Sequence, residues 1–323
     1  MTATSQDTVL GVDIGGTKVA VGLVDAQGEI LTQTRKPMVA NGTAEAGLQA
    51  VIAAIDAISS SEGGGFQSIG ICAPGPLDPK AGVVVNPPNV PCWRNFPLAE
   101  KIKEKYKVSV RLDNDANAAA LAETLWGAAR GYRYVFYATI GTGIGTGIVF
   151  DGKIYHGKTG AAGEGGHISI DYRGPVCGCG KHGCIEALAA GPAIAGRARA
   201  KLAKASGRSM MLDLAQGDVN AVTTEMVGKA YAAGDALARE TLEETVELLA
   251  AWLGNMVDLL DPDVVVIGGG VAAMLRPFFD DIQRRLPTWC VNSRVSEIPL
   301  VMARYGADAG IAGGAALCVE DSV

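Results

Sequence analysis

The stretch TVLGVDIGGTKVAVGLVD, residues 8–25, decides the fold. Apolar residues lead to Asp13, the turn Gly15-Gly16-Thr17 follows, and Val19, Val21 and Leu23 then alternate at period two. That pattern predicts two strands joined by a tight glycine turn. A phosphate loop of the P-loop kind runs from strand into helix and carries Gly-Lys before Ser or Thr. Here Gly16-Thr17-Lys18 runs into a second strand, so the P-loop reading fails. Residues 134–152, YVFYATIGTGIGTGIVFDG, repeat the strand–turn–strand pattern. Two such hairpins predict a duplicated α/β architecture with one hairpin in each of two domains.

Between and beyond the hairpins the chain alternates helix and strand patterns. Alanine-rich apolar periodicity predicts a helix over 44–60, and 68–73 reads as a strand ending at Pro74-Gly75-Pro76. Residues 86–97 form a proline-rich loop. A short basic helix over 98–107 and a strand over 108–112 lead to Asp113-Asn114-Asp115, which opens a helix over 116–126. Residues 186–260 are mostly helical. A buried strand over 264–267 precedes Gly268-Gly269-Gly270, a helix follows over 272–286, and a small-residue helix from Asp308 closes the chain.

Composition narrows the function classes. The chain has 323 residues, 48% hydrophobic and 19% charged, which suits two domains or one large α/β unit. Its net charge of −6 argues against nucleic acid or an anionic membrane as partner. The opening residues MTATSQDT do not read as a signal peptide. The apolar run 248–260 contains Asn255 and Asp258 and is too short to span a bilayer, so it reads as a buried helix. Seven cysteines without secretory context imply reduced thiols and a cytoplasmic protein, with Cys72, Cys92, Cys290 and Cys318 as buried free thiols.

The densest chemistry lies in EGGHISIDYRGPVCGCGKHGCIE, residues 164–186. Cys177, Cys179 and Cys184, with His167 ahead of them, make a Cys3His ligand set for tetrahedral zinc. A disulfide between Cys177 and Cys179, one residue apart, would be strained. Four protein ligands would close the site, making the zinc structural. His167 would then donate its other ring N–H outward, toward an acceptor oxygen. Glu164 and Glu186 are left for another task.

Asp115 is the candidate base. An aspartate at a helix start is commonly a cap, but Asp113-Asn114 already supplies one. In the first turn a carboxylate sees the positive end of the helix and stays ionised, ready to accept a hydroxyl proton. Asn114 can both donate and accept, which suits an alcohol. The turns Gly15-Gly16-Thr17 and Gly141-Thr142-Gly143 offer backbone N–H groups to phosphate oxygens, and as a pair they favour a nucleotide triphosphate. Asp13 would hold Mg²⁺ through water. Lys18 is the nearest cation in sequence, or else a solvated strand residue. Gly269 and Gly270, after a strand and before a helix, suit close approach of backbone to an adenosine better than a Rossmann unit.

Taken together the chain resembles the ROK family of sugar kinases and repressors, within the actin-like ATPase superfamily. The resemblance runs from Gly11 to Ala316 and rests on LGVDIGGTK (10–18), LDNDANAAALAE (112–123), IGTGIGTG (140–147), EGGH (164–167), CGCGKHGCIE (177–186) and IGGGVA (267–272). Thr146 departs from it, standing where a glycine is common. The resemblance implies an actin-like, ribonuclease H-like fold with two domains closing a cleft on sugar and ATP. The expected division is residues 1–114 plus 304–323 as a small domain and 115–303 as a large one carrying the zinc segment.

By the same resemblance Asp115 is the catalytic base. Asn114, Glu164, His167 and Glu186 bind sugar hydroxyls, Gly75 adds backbone, and Asn89 is a further candidate. The implied activity is an ATP-dependent glucokinase acting on the 6-hydroxyl of glucose, in a homodimer or higher homo-oligomer. The cysteine spacing differs from the CxxHxxC of the family's fructokinases, which disfavours fructose. Alternatives are kinases for N-acetylmannosamine, N-acetylglucosamine or mannose, polyphosphate as donor, and a sugar-sensing repressor. The repressor would need a DNA-binding helix-turn-helix ahead of the first strand, where eight residues stand.

Overall fold

The computed structural model describes residues 8–61, 65–205 and 207–319. Residues 1–7 and 320–323, which carry most of MTATSQDT and the outer ends of the expected small domain, lie outside the described residues. In chain order the first elements are β1 (Val9–Ile14), β2 (Lys18–Val24), β3 (Ile30–Pro37), α1 (Ala44–Ser61), β4 (Ser68–Ala73), β5 (Leu77–Asp78), β6 (Val83–Val84), α2 (Leu98–Tyr106), β7 (Ser109–Asn114) and α3 (Asp115–Leu125). Then come β8 (Tyr134–Ile140), β9 (Ile144–Phe150), β10 (Lys153–Ile154), α4 (Ile185–Ala189), α5 (Gly191–Leu202), α6 (Met210–Leu214), α7 (Thr224–Ala232) and α8 (Ala236–Leu260). The chain finishes with β11 (Val264–Gly268), α9 (Gly270–Leu275), α10 (Phe279–Trp289), β12 (Leu300–Met302) and α11 (Ala309–Leu317). Among the described residues no helix is long and apolar enough to cross a membrane.

One sheet has the order β3-β2-β1-β4-β7 and a second the order β10-β9-β8-β11-β12. Both are mixed: β1 and β2 pair antiparallel while β1, β4 and β7 run parallel, and β10 pairs antiparallel with β9 while β11 and β12 run parallel. The chain divides into two compact units. The described parts of Met1–Tyr137, Gly147–Gly163 and Ala303–Val323 form the first, and Ala138–Thr146 with Glu164–Met302 the second.

In the first unit, strand alternation sends Leu10, Val12 and Ile14 to one face, where they join Val51 and Ile55 of α1 and Leu98 and Ile102 of α2 in a fully buried core. The other face carries Gly11 and Gly70. A Cβ on Gly11 would lie 1.8 Å from Ile311 O, and one on Gly70 would lie 1.7 Å from Gly314 O. Only glycine therefore lets α11 lie flat on β1 and β4. Gly313 in turn presses on the Ala118–Ala119 backbone of α3. This small-residue seam puts α3 in the first unit, so the contacts do not divide at the expected residue 115.

The second unit is built on α8, against which α4, α5, α7 and α10 pack. Its apolar residues, among them Leu242, Val246, Leu249 and Leu253, recur at helical spacing and are buried. The expected buried helix over 248–260 is the second half of this longer one. The indole N–H of Trp252, fully buried, donates to Gly165 O at 3.1 Å and so ties α8 to the segment 164–167.

Candidate active site

In the first unit the three parallel strands bring carboxylates to their C-terminal ends. Asp13 of β1, Cys72 of β4 and Asp113 of β7 are neighbours in register, forming one row across the sheet. They share the α11 face, where the Cys72 thiol donates to Gly310 O at 2.8 Å. Gly310 is needed there, because a Cβ would stand 2.3 Å from Asp13 Cγ. Burial is the main reason that Asp13 is raised to about 6. The Asp115 carboxylate adds to the shift, while Lys18 and Arg35 pull it back.

Just beyond β7, Asn114 is the N-cap of α3. Its Oδ1 accepts from Ala116 N at 2.9 Å and from Asn117 N at 3.4 Å. Capping occupies the amide oxygen and leaves Nδ2 as the polar end available to a ligand. Asp115 is exposed at the first helical position and its Oδ1 accepts from Ala116 N at 2.9 Å. The cap of this helix is therefore Asn114 alone, not the pair Asp113-Asn114, and Asp115 is its first residue. An added Cβ on Gly75 would lie 3.7 Å from Asn114 Nδ2, so these two residues adjoin. The hairpin turn closes by Gly15 N donating to Lys18 O at 2.9 Å. Gly16 meets the proline-rich loop, where an added Cβ would sit 2.6 Å from Asn89 O. Thr17 and Lys18 are exposed.

In the second unit the residues 164–186 fold around the thiols. Bridges join Ser169 to Cys184 and Val176 to His182, and Cys177 N donates to Lys181 O at 2.7 Å. Gly183 turns the chain with φ of 62° against the backbone of Asp171, where any Cβ would lie 1.6 Å from the Asp171 carbonyl oxygen. The ligand atoms of His167, Cys177, Cys179 and Cys184 all lie within 4.8 Å of one another. Cys177 Sγ is 3.6 Å from His167 Nδ1, and Cys179 Sγ is 3.6 Å from Cys184 Sγ. Tetrahedral zinc with bonds of about 2.3 Å to sulfur and about 2.0 Å to nitrogen requires edges of roughly 3.5–3.8 Å. These two edges match that ion, and the four donors are of the types it takes. Burial pushes the Cys184 thiol up to about 12 and raises Cys177, while the backbone N–H of Lys181 lowers Cys179.

Glu186 opens α4 beside this cluster. Its Oε2 accepts from Ile144 N at 2.9 Å, and its Oε1 stands 3.8 Å from His167 Nδ1. Gly143 lies against the same carboxylate, for an added Cβ would be 2.6 Å from Oε2. Glu164 is exposed, and its carbonyl accepts from His167 N at 3.0 Å. Thr146, the departure from the family's glycine, is 4% exposed, and its Oγ1 accepts from Gly165 N at 2.8 Å. Its side chain braces the segment 164–167.

A cavity of about 960 Å³ occupies the second unit. Thr142 and Gly270 line it, as do Gly141 and Gly191, whose backbones join through Gly191 N donating to Gly141 O at 2.8 Å. The candidates Gly143 and Gly269 do not border it. Gly269 has φ of 93° and packs on Ile140, where a Cβ would lie 2.4 Å from the carbonyl oxygen, so its glycine serves the strand-to-helix turn. Arg199, Thr224 and Met274 line the cavity and carry no sequence motif. The volume and mostly aliphatic walls suit a purine nucleoside, with Gly141-Thr142 backbone at one border.

The model of the ROK family matches residues 9–321. A glucokinase of Thermotoga maritima is 33% identical over 313 residues, 97% of this chain and 97% of its own. An N-acetylmannosamine kinase of Shigella flexneri is 31% identical over 311 residues, 96% of this chain and 98% of its own. Among solved structures, a ROK family glucokinase from Streptomyces griseus in complex with glucose and AMPPNP superposes with a TM-score of 0.80 at 34% identity, covering 96% of this chain and 98% of that one. The mixed α/β sheets fit an actin-like ATPase fold. The chain belongs to the ROK family.

Proposed function

We propose that this protein is an ATP-dependent glucokinase, transferring the γ-phosphoryl group of ATP to the 6-hydroxyl of glucose. The observation that carries the reading is the likeness, over nearly the whole chain, to glucokinases, one of them solved with glucose and AMPPNP. In this reading the Asp115 carboxylate accepts the proton of the 6-hydroxyl as its oxygen bonds to the γ-phosphorus. The bond from that phosphorus to the β–γ bridging oxygen breaks and ADP leaves. General base catalysis of this kind is worth roughly 10²- to 10⁴-fold. Asn114 Nδ2 donates to a ring hydroxyl, with Gly75 backbone beside it and Asn89 nearby. Glu164, Glu186 and the outward ring nitrogen of His167 bind the remaining hydroxyls.

The cavity lined by Thr142 and Gly270 takes the adenosine, and N–H groups of the turns Gly15-Gly16-Thr17 and Gly141-Thr142-Gly143, with Lys18, meet phosphate oxygens. Asp13, partly buried and raised, suits a water-bridged Mg²⁺, which supplies charge neutralisation to the transferring phosphoryl group when bound. His167, Cys177, Cys179 and Cys184 hold a structural zinc that fixes His167 and the turn delivering Glu186. A cytoplasmic homodimer or larger homo-oligomer completes the reading.

Asp115→Asn tests it: turnover should fall at least about 100-fold, while glucose still binds in a direct titration with near wild-type affinity. Near wild-type turnover in that variant removes Asp115 from the mechanism.

A further inference from the structure

Asp113 is 3% exposed and bears a carboxylate that the proposed mechanism does not use. Its Oδ1 accepts from Asn114 N at 2.6 Å and from Asn117 Nδ2 at 3.1 Å. Its Oδ2 lies 2.6 Å from His156 Nε2. An ionised carboxylate only accepts, so His156 donates its Nε2–H. Two of these three contacts hold the first turn of α3 and its cap. The third comes from His156, just after β10.

His156 is itself held. It follows β10, which packs on α3, and Ala162 N donates to His156 O at 3.2 Å. Gly157, Gly160 and Gly163 have φ of 65°, 84° and 87°, which fold residues 157–163 back over themselves. The pair borders a cavity of about 430 Å³ that Asp78, Lys80, Arg111 and Lys158 also line. Those three cations and one carboxylate are the other charged groups facing it.

We propose that His156 is a positioning residue: through Asp113 it fixes the cap Asn114 and the base Asp115. The inference rests on the role given to Asp115 above. Without the imidazole donor, Asp113 would be a buried carboxylate with two neutral partners, free to turn toward the cavity and its cations. Turning would release Asn114 N and Asn117 Nδ2 together. The cap would lose its anchor, and with it the aim of Asn114 Nδ2 and Asp115. A displacement of about 1 Å at a reacting group costs up to roughly 100-fold.

The test compares His156→Phe and His156→Ala, which remove the donor, with His156→Gln, whose amide N–H can stand where Nε2–H stands. The Phe variant keeps ring volume and carries the decision where the Ala variant does not fold. In the donor-less variants kcat should fall about 10- to 100-fold and the glucose KM should rise, with the ATP KM unchanged. His156→Gln should return within about threefold of wild type. Amide hydrogen exchange, read without sugar or nucleotide, should quicken at Asn114, Ala116 and Asn117 in the donor-less variants only. Wild-type kcat and exchange in His156→Phe overturn the proposal, as does equal impairment of His156→Gln and His156→Phe. If the wild-type protein does not phosphorylate glucose, the kinase reading fails, and the exchange comparison still decides whether His156 fixes this turn.

Discussion

Replacing Gly143 by alanine should raise the glucose KM without disturbing the fold. The added methyl would stand 2.6 Å from Glu186 Oε2 and 3.4 Å from Glu186 Cδ, and it meets no other atom within 4 Å outside the residues next in chain. To reach an ordinary contact the carboxylate must retreat by roughly 0.8 Å, a displacement on the scale that matters to a ligand contact. The retreat breaks or lengthens the 2.9 Å bond from Ile144 N. The displaced carboxylate also loses its proposed hydrogen bond to a sugar hydroxyl, and a hydrogen bond to a charged group is worth about 1.5–3 kcal/mol. The Glu186 side chain is 26% exposed, so the lower figure applies. About 1.4 kcal/mol corresponds to tenfold in affinity. An assay coupled to glucose 6-phosphate formation should therefore show the glucose KM raised about tenfold, with the ATP KM changed far less. If the methyl acts through Glu186, adding Gly143→Ala to Glu186→Gln should produce little further change. A glucose KM within twofold of wild type, or full additivity of the two substitutions, refutes this reasoning.

Cys177→Ala should release one equivalent of zinc, lower the melting temperature and raise the glucose KM together, because the same turn carries Glu186. Metal analysis, a thermal melt and sugar kinetics read all three, and zinc loss with an unchanged glucose KM would cut the link between metal and pocket. Asp13 is raised to about 6 in the fold against about 3.8 in the unfolded chain. Its contribution to metal-free stability is therefore present below about pH 4 and is lost as pH rises through 6. Asp13→Asn should then be more stable than wild type at pH 7.5 in the absence of Mg²⁺, with the difference shrinking toward pH 5. A difference in melting temperature that does not change with pH contradicts it. The Mg²⁺ concentration needed for half-maximal turnover should rise as pH falls below 6, since protonation removes the ligand.

Much of the fold was legible because its signals are local. The two hairpins stand at Val9–Val24 and Tyr134–Phe150, where alternating apolar residues flank glycine turns. The strand over 68–73 and the helix from residue 44 fall where their apolar periods put them. The long helix pattern over 272–286 breaks in the fold into α9, a 3-10 turn at Arg276–Phe278 and α10, and Pro277 sits at that break. Strand β3 escaped because it lies at the sheet edge with alternating half-buried and exposed residues such as Thr32, Gln33 and Thr34, so it has no apolar face to read. Of the four cysteines expected to be buried, Cys72 is, whereas Cys92, Cys290 and Cys318 are half-buried.

The site divides in the same way. Asn114 and Asp115 adjoin in sequence and the thiols lie within eight positions, so their residue types alone mark them as candidates. The lining of the large cavity is drawn from α5, α7, α9 and the turn after β8, by residues such as Thr224 and Met274 that are unremarkable one at a time. Asp113 was legible only as part of a cap. Its partner His156 lies forty-three positions away, beyond a hairpin, and only the tertiary fold brings them to 2.6 Å.

The central claim is tested most directly by the rate of phosphoryl transfer from ATP across a panel of sugars: glucose, mannose, N-acetylglucosamine and N-acetylmannosamine. The account predicts the highest kcat/KM for glucose with glucose 6-phosphate as product. A higher kcat/KM for an N-acetylhexosamine, or no transfer to glucose by a folded, zinc-loaded protein, would contradict it.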